Sequence, residues 1–347
     1  MAAATLKDVA MRAGVSIKTV SNVVRGVPRV SEATRERVTR AVRELGYRPN
    51  PSARRLRTGR SDLIALAVPD LAMPYFAELA QHVRAEAAEL GLTVLIEETM
   101  GDAREELRLA TGVGAALLDG VILSPLHVSL DELAPVADEF PLVLLGERSY
   151  ERDQVAADHV LIDNVAAARE ATAHLAALGR TRIAAIGVKA QASATDRQRL
   201  EGFQRALHDA GLTYDPRLAP SVKEFDRRNG LLAMRALASL PPGVRPDAVF
   251  CFSDLLAIGA QRALHEAGMT VPEQVAVASI DGSEEALYST PSLTSVIPDK
   301  AAIASLAVKC LATRIRSEEP LPFEVHLAPY RLVVRESTEG VRRRLPP

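Results

Sequence analysis

The segment TLKDVAMRAGVSIKTVSNVV, residues 5–24, decides the fold of the N-terminal part of the chain. Its apolar residues recur at helical spacing on both sides of Gly14, which permits the positive φ angle of a tight turn. Thr5 with Asp8 three residues later is a weaker, Asp-bearing form of the capping box, and Ser16 can cap a second helix. The segment therefore predicts two short helices joined by a turn.

A third helix is expected immediately downstream. It begins after Ser31, which can act as its N-cap, and it ends at Gly46. Two short helices around a glycine-containing turn, supported by a third helix, form a helix-turn-helix.

The second of these helices, residues 17–24, carries side chains that can read DNA bases. We expect it to bury Val20, Val23 and Val24 and to expose Ile17, Lys18, Ser21 and Asn22. Lys can donate to guanine, Asn can pair with adenine, and an exposed Ile suits the methyl group of thymine. The alternative is an ordinary solvent-facing surface.

The charge of the chain is unevenly distributed. The chain of 347 residues has a formal charge of −2 and a pI of about 6.4, which taken alone argues against a nucleic-acid binder. Residues 1–60, however, carry fourteen basic and four acidic side chains, a net charge of +10, and residues 61–347 carry −12. A basic segment joined to an acidic body suggests a polyanion-binding module, although an Arg-rich solvated arm has the same composition.

Residues 50–57 predict a short helix that begins at Asn50 and Pro51. Such a helix is too short to be stable alone, so we expect it to order only when something holds it. Three Arg around Leu56 fit insertion into the minor groove, with Leu56 as an apolar wedge. A basic interdomain linker is the alternative.

Residues 5–59 resemble the headpiece of the lactose-repressor family, and residues 5–10, 13–21, 30–36 and 45–50 carry the similarity. The resemblance implies that Ile17, Lys18 and Asn22 read bases and that Leu56 wedges into the centre of a palindromic operator. The predicted DNA-binding residues are Thr5, Ser16, Ile17, Lys18, Thr19, Ser21, Asn22, Arg25, Ser31, Asn50, Ala53, Arg54 and Leu56.

From residue 61 the pattern changes to short apolar strands that alternate with amphipathic helices. Two such series follow one another, the first with strands at 63–68 and 120–123 and the second with strands at 182–186 and 248–252. This alternation predicts doubly wound parallel sheets and therefore two similar lobes. An apolar fraction of 48% supplies real cores and excludes a disordered chain, a fibre and a small disulfide scaffold.

Ligands of open parallel sheets bind beyond the carboxyl ends of the strands. Polar residues at such ends, among them Asp70, Ser124, Asp254 and Asp281, are therefore expected to line a cleft between the lobes. Asp254 precedes a predicted helix and is equally suited to a structural role as a cap.

Residues 61–337 resemble the core of the same family, which is shared with periplasmic sugar-binding proteins. The resemblance implies that Arg199 and Asp281 hold the hydroxyls or ring nitrogens of an effector, and that aromatic residues form the cavity walls. Purine-binding members have Arg where this chain has Ser193, which disfavours a purine. The predicted effector-binding residues are Asp70, Tyr75, Phe76, Ser124, Arg148, Asp163, Ser193, Arg199, Phe225, Ser253, Asp254 and Asp281.

The expected fold is thus an all-α helix-turn-helix headpiece followed by an α/β core of two doubly wound parallel-sheet lobes of periplasmic-binding-protein type. The expected boundaries are 1–49 for the headpiece, 50–60 for a hinge helix or linker, 61–162 plus 292–327 for the first lobe, 163–291 plus 328–340 for the second lobe, and 341–347 for a tail.

No motif for catalysis is found in the sequence. A phosphate-binding loop, a complete dinucleotide fingerprint, metal-ligand spacing and a nucleophile elbow are all missing, so we expect no enzyme, no cofactor and no metal. There is no stretch long enough to span a membrane and no secretory signal, and the two Cys lie in apolar runs. We therefore expect a cytoplasmic, nucleoid-associated protein.

Together with the resemblance, these patterns predict a homodimeric transcription regulator, a repressor of carbohydrate uptake or catabolism genes that binds a pseudo-palindromic operator and a sugar-like effector. The chain has no Trp, so a strongly stacking disaccharide clamp is not expected. The alternatives are a solute-binding receptor without a gene-regulatory role, a regulator that responds to a nucleoside, and more remotely a sugar-modifying enzyme.

Overall fold

The computed structural model describes residues 4–24, 30–47, 60–112, 118–146 and 157–340. It divides into two compact units, Met1–Ser61 and Asp62–Pro347. The predicted helix of residues 50–57 and the predicted tail lie outside the described residues.

The first unit contains the three predicted helices, α1 (Leu6–Ala13), α2 (Ile17–Val24) and α3 (Glu32–Glu44). The capping box of α1 is confirmed: the backbone N–H of Thr5 donates to Asp8 (2.8 Å), and that of Asp8 donates to the hydroxyl of Thr5 (3.3 Å).

The turns and caps between these helices follow from single residues. Gly14 ends α1 with a φ of +62°, and Ser16 accepts the backbone N–H of Thr19 (3.1 Å) at the start of α2. Ser31 stands at the N-cap of α3, but its hydroxyl donates to the hydroxyl of Thr34 instead of accepting from the helix backbone.

The prediction for the faces of α2 was wrong at two positions. Ser21 is buried, with 6% of its surface exposed, whereas Val24 is 38% exposed. Ser21 is small enough to be covered where the helices meet, and Val24 is the last residue of α2. Val20 and Val23 pack as expected in the core of the unit with Val9, Ala10, Ala13, Val38 and Ala41.

The second unit is built on two sheets. The first sheet contains β1 (Leu63–Val68), β2 (Thr93–Glu98), β3 (Gly120–Leu123), β4 (Leu142–Leu145), β5 (Asp158–Leu161) and β10 (Val325–Leu327). These strands lie in the order β10-β5-β4-β3-β1-β2, and all neighbours in this sheet are parallel. Its helices are α4 (Pro74–Glu89), α5 (Ala103–Ala110), α6 (Leu130–Glu139) and α12 (Lys300–Arg316).

The second sheet contains β6 (Ile183–Ile186), β7 (Ala248–Cys251), β8 (Ala276–Ile280), β9 (Thr294–Pro298) and β11 (Tyr330–Val333). These strands lie in the order β11-β9-β8-β7-β6, and in this sheet only β11 is antiparallel to its neighbour. Its helices are α7 (Asn164–Ala177), α8 (Ala194–Asp209), α9 (Arg227–Ala238), α10 (Asp254–Glu266), α11 (Glu284–Tyr288) and α13 (Glu336–Glu339).

The structure differs from the expected lobes at β9. This strand pairs with β8, with Thr294 opposite Ala278, so it belongs to the second sheet, although residues 292–327 were assigned to the first lobe. The chain therefore crosses between lobes after Pro298, at the start of α12. Strand pairing is a long-range contact that the local pattern of residues 292–298 does not contain.

Two helices also differ from the prediction. The sequence pattern predicts a helix over residues 103–118, whereas in the structure this helix ends at Ala110. Helix α6 was missed, although Ser129 and Glu132 form a capping box that marks its start, because Pro135 in its interior is unfavourable for a helix.

Candidate functional site

The outer surface of α2 is the candidate DNA-reading surface. Ile17 and Lys18 are exposed on its first turn, and Asn22 is half-buried one turn later. Thr19 is half-buried, and its hydroxyl lies 2.8 Å from that of Ser16. Of the remaining predicted DNA-binding residues, Arg25, Asn50, Ala53, Arg54 and Leu56 lie outside the described residues.

A cavity of about 470 Å³ lies between the two sheets of the second unit, beyond the carboxyl ends of their parallel strands. Its volume is within the range of about 300–1,000 Å³ that is usual for small-molecule sites. It brings together eight of the predicted effector residues, Asp70, Tyr75, Phe76, Ser124, Ser193, Arg199, Phe225 and Asp281. Arg148 lies outside the described residues.

Arg199 and Asp281 form a largely buried ion pair in the cavity wall. Nη1 of Arg199 lies 3.8 Å from Oδ1 of Asp281, and the side chains are 11% and 10% exposed. Arg199 is held by hydrogen bonds from Nε to Asn164 Oδ1 (3.0 Å) and from Nη1 to the carbonyl of Phe252. A fixed guanidinium beside a carboxyl offers donors and acceptors to a ligand hydroxyl.

Burial raises the pKa of Asp281 to about 7, which Arg199 opposes and the nearby Asp254 reinforces. Asp281 also has a φ of +128°, a left-handed backbone conformation that is strained for a residue with a side chain. Strain of this kind persists only where the surroundings hold the residue in place, as the turn after β8 does here.

Aromatic rings form the apolar walls. The rings of Tyr75 and Phe76, in the first turn of α4, are perpendicular at a centroid distance of 5.2 Å. Burial raises the pKa of Tyr75 to about 12, so its hydroxyl remains a hydrogen-bond donor. Phe225 stands edge-on to Phe252, which is fully buried core, as is Phe203.

Three predicted effector residues have structural positions away from the cavity wall. Asp163 and Ser253 are the N-caps of α7 and α10 and accept backbone N–H groups from Ala166 and Leu256. Asp254 is fully buried, and three serine hydroxyls donate to its carboxylate, those of Ser279, Ser283 and Ser295. A residue after a strand can equally cap the next helix, and sequence alone does not separate the two roles.

The cavity is also lined by Asn164, Lys189 and Asp196, which were not among the predicted effector residues. Asn164 and Lys189 follow β5 and β6 by three residues each, so the rule that identified Asp70 and Ser124 could have found both.

An ion pair between a buried lysine and a half-buried glutamate joins the lobes beside the cavity. The ammonium of Lys300 lies 2.8 Å from Glu78 Oε2 and donates to the carbonyl of Gly282 (3.1 Å). The other oxygen of Glu78 accepts the backbone N–H of Glu284 (3.2 Å). Glu78 is in α4 of the first lobe, whereas Gly282 and Glu284 follow β8 of the second, so this cluster connects the two.

Residues 5–50 match the family of bacterial regulatory proteins, lacI family, and residues 172–338 match the periplasmic binding protein-like domain. The HTH-type transcriptional regulator CelR of Thermobifida fusca is 37% identical over 339 residues, which cover 96% of this chain and 98% of that protein.

Two solved structures extend the likeness to the fold. A CelR–cellobiose complex has a TM-score of 0.71 and 35% identity, covering 96% of this chain and 99% of that chain. The lac repressor dimer bound to operator and the anti-inducer ONPF has a TM-score of 0.80 and 26% identity, covering 97% and 99%.

No helix in the described ranges is both long and apolar enough to cross a membrane. The two matched domains, in this order, and the near full-length identity to a transcriptional regulator account for the helical first unit and the two-sheet second unit together. The chain therefore belongs to the lacI family of bacterial regulatory proteins.

Proposed function

We propose that the protein is a homodimeric repressor of carbohydrate uptake or catabolism genes whose operator affinity is controlled by a sugar bound between its two lobes. The observation that carries this proposal is the cavity with Arg199 and Asp281, in a chain that also has a helix-turn-helix. The proposed place of action is the cytoplasm, at the nucleoid, and the proposed role is binding, not catalysis.

The DNA-binding part rests on the first unit. We propose that Ile17, Lys18 and Asn22 of α2 contact base edges in the major groove and that Leu56 wedges into the minor groove at the operator centre. The net charge of +10 over residues 1–60 supports attraction to the phosphate backbone.

The effector part rests on the cavity. A buried Arg–Asp pair beside aromatic rings suits a neutral polyhydroxylated ligand, and the complex of the relative CelR with cellobiose supports a carbohydrate. Ser193, at the position where purine-binding members carry Arg, caps α8 instead and supports a sugar over a nucleoside.

The homodimer is supported by the edge of the first sheet. Among the described strands β2 pairs only with β1, which leaves one open edge, and it carries two exposed apolar side chains, Leu95 and Ile96. An exposed apolar edge strand is a usual surface for association with another chain. A two-fold dimer presents two headpieces, so we propose a pseudo-palindromic operator.

The test is a gel-shift selection with the full-length protein on a library of randomised palindromes. We expect a pseudo-palindrome to be enriched, and its affinity to change by about 5-fold to 150-fold with a bound sugar. Arg199→Ala should bind the same operator but should not respond to the sugar. The absence of any retarded complex at low salt would overturn the proposal and would leave a solute receptor as the better hypothesis.

A further inference from the structure

Arg199 with Asp281 is one group of polar side chains in the cavity wall, and a second group lies near it. The second is Lys189, which follows β6, and Asp196 in the first turn of α8. Asp196 and Arg199 are three residues apart on α8, so they share a face about 4.5 Å apart along its axis. We refer to Lys189, Asp196 and Phe225 as the outer group.

The ammonium of Lys189 is paired with Asp196 but lies beyond hydrogen-bond distance of its carboxylate. Its side chain is 17% exposed, and Nζ lies 4.2 Å from the ring centroid of Phe225 and 3.9 Å from Asp196 Oδ2. Within the part of the chain that the structure describes, no oxygen accepts a hydrogen bond from Nζ. A charged group withdrawn from water without hydrogen bonds is costly, so a ligand hydroxyl at this point would be bound favourably.

Asp196 supplies a fixed acceptor next to that donor. It is 5% exposed, and the backbone N–H of Ser193 donates to its Oδ2 (3.0 Å) in the capping box of α8. This bond orients the carboxylate. Among the described residues no group donates to Oδ1, so this oxygen can accept from a ligand. A hydroxyl both donates and accepts, so it satisfies Lys189 and Asp196 at once.

The charge around the outer group disfavours an anionic ligand. Glu224 and Asp226 line the cavity on either side of Phe225, so the cavity wall around Phe225 and Lys189 carries three carboxylates once Asp196 is included. A ligand carboxylate or phosphate would meet repulsion from these groups, whereas an uncharged hydroxyl would not.

We propose that the outer group is a second sugar subsite, which makes the cavity selective for uncharged disaccharides over monosaccharides. The proposal rests on the proposed function, because one ring must bind at Arg199 and Asp281 for a second to reach Lys189. The sequence has no Trp, so the second ring is held by hydrogen bonds to Lys189 and Asp196 instead of by stacking between large aromatic rings.

The test is calorimetric titration of the full-length protein with matched sugars: glucose against cellobiose and maltose, and galactose against lactose. We expect the wild type to bind one disaccharide about tenfold or more tightly than its monosaccharide. Lys189→Met should weaken that disaccharide about tenfold and change the monosaccharide less than about twofold. Lys189→Arg should retain part of the preference, since a guanidinium also donates to hydroxyls.

Lys223→Met is the matched control, since Lys223 is an exposed lysine two residues before Phe225 and does not line the cavity. It should bind every sugar as the wild type does. The second subsite would be overturned if Lys189→Met weakened the binding of the disaccharide and of the monosaccharide equally, or weakened neither. It would also be overturned if the wild type bound the monosaccharide as tightly as the disaccharide. If no sugar of the panel binds the wild type, the sugar effector itself is wrong, and operator binding decides separately whether the protein is a regulator.

Discussion

At the scale of single residues, Asp281 combines three features that are common at ligand-binding sites. It is held in a strained left-handed conformation, it is nearly buried, and it faces a guanidinium at 3.8 Å. The desolvation of Asp281 outweighs the opposing charge of Arg199 and raises the pKa of Asp281 to about 7. Near neutral pH the carboxyl group therefore exchanges between a carboxylic acid and a carboxylate. Both forms accept a hydrogen bond, and the acid also donates one.

The raised pKa of Asp281 makes stability depend on pH. Between the unfolded value of 3.8 and the folded value of about 7, the folded chain keeps a proton that the unfolded chain loses, so stability falls as the pH rises through this window. Asp281→Asn removes the titration. We expect the melting temperature of the wild type minus that of Asp281→Asn to fall by roughly 4 °C or more from pH 5 to pH 8.

Differential scanning calorimetry at several pH values measures this difference. Asp138→Asn is the control, because Asp138 is an exposed carboxyl on α6 and its replacement should give a curve parallel to that of the wild type. A difference between the wild type and Asp281→Asn that stays constant from pH 5 to pH 8 would show that Asp281 does not titrate in this window.

At the scale of elements, α2 presents Lys18 on an exposed turn, where its ammonium can reach a base edge. Lys18→Ala should weaken the selected operator by about 1–3 kcal/mol and relax base preference at one symmetric pair of positions. Lys7→Ala removes the same charge from an exposed position on α1 and should weaken the binding of all DNA sequences alike. Sequencing of the bound library measures both, and an unchanged base preference in Lys18→Ala would exclude Lys18 from base reading.

Helices α4 and α12 meet the turn after β8 through Glu78 and Lys300. Lys300 is only 6% exposed, and each group bonds a different backbone atom of that turn, so the pair should be worth more than a surface ion pair. A double-mutant cycle with Lys300→Met and Glu78→Gln should give a coupling energy of about 1–3 kcal/mol in denaturant unfolding.

The exposed pair Arg108 and Glu105 of α5 is the comparison for this cycle. Arg108→Met and Glu105→Gln should couple by less than about 1 kcal/mol, since water screens both charges. If the two cycles gave the same small energy, the bond between Lys300 and Glu78 would add nothing measurable to the connection between the lobes.

At the scale of the whole molecule, local signals predicted the fold, and long-range contacts account for what they missed. Thr5 with Asp8 and the strand–helix alternation after residue 61 act within a few residues, so they were readable. The place of β9 in the second sheet depends on its pairing with β8, which no short window contains.

The candidate site divides in the same way. The rule that ligands bind beyond strand ends identified Asp70, Ser124 and Asp281, which line the cavity. The rule was wrong for Asp254, which it also placed in the cavity wall. The carboxylate of this residue is buried among three serine hydroxyls that only the folded chain brings to it. Whether a polar residue after a strand faces the cavity or its own helix is decided by tertiary packing.

The open edge of β2 provides the last prediction, which concerns assembly. Leu95 and Ile96 are 42% and 44% exposed there, and a dimer through this edge would cover both. Replacing both with Asp would place two carboxylates in the contact, so we expect a monomer in sedimentation at micromolar concentration. Operator affinity should fall by about 100-fold or more, since each monomer reads one half-site. Sugar affinity should persist, because the cavity lies within one chain. Leu178→Asp, on an exposed leucine after α7, should remain dimeric; a dimeric double variant would place the interface elsewhere.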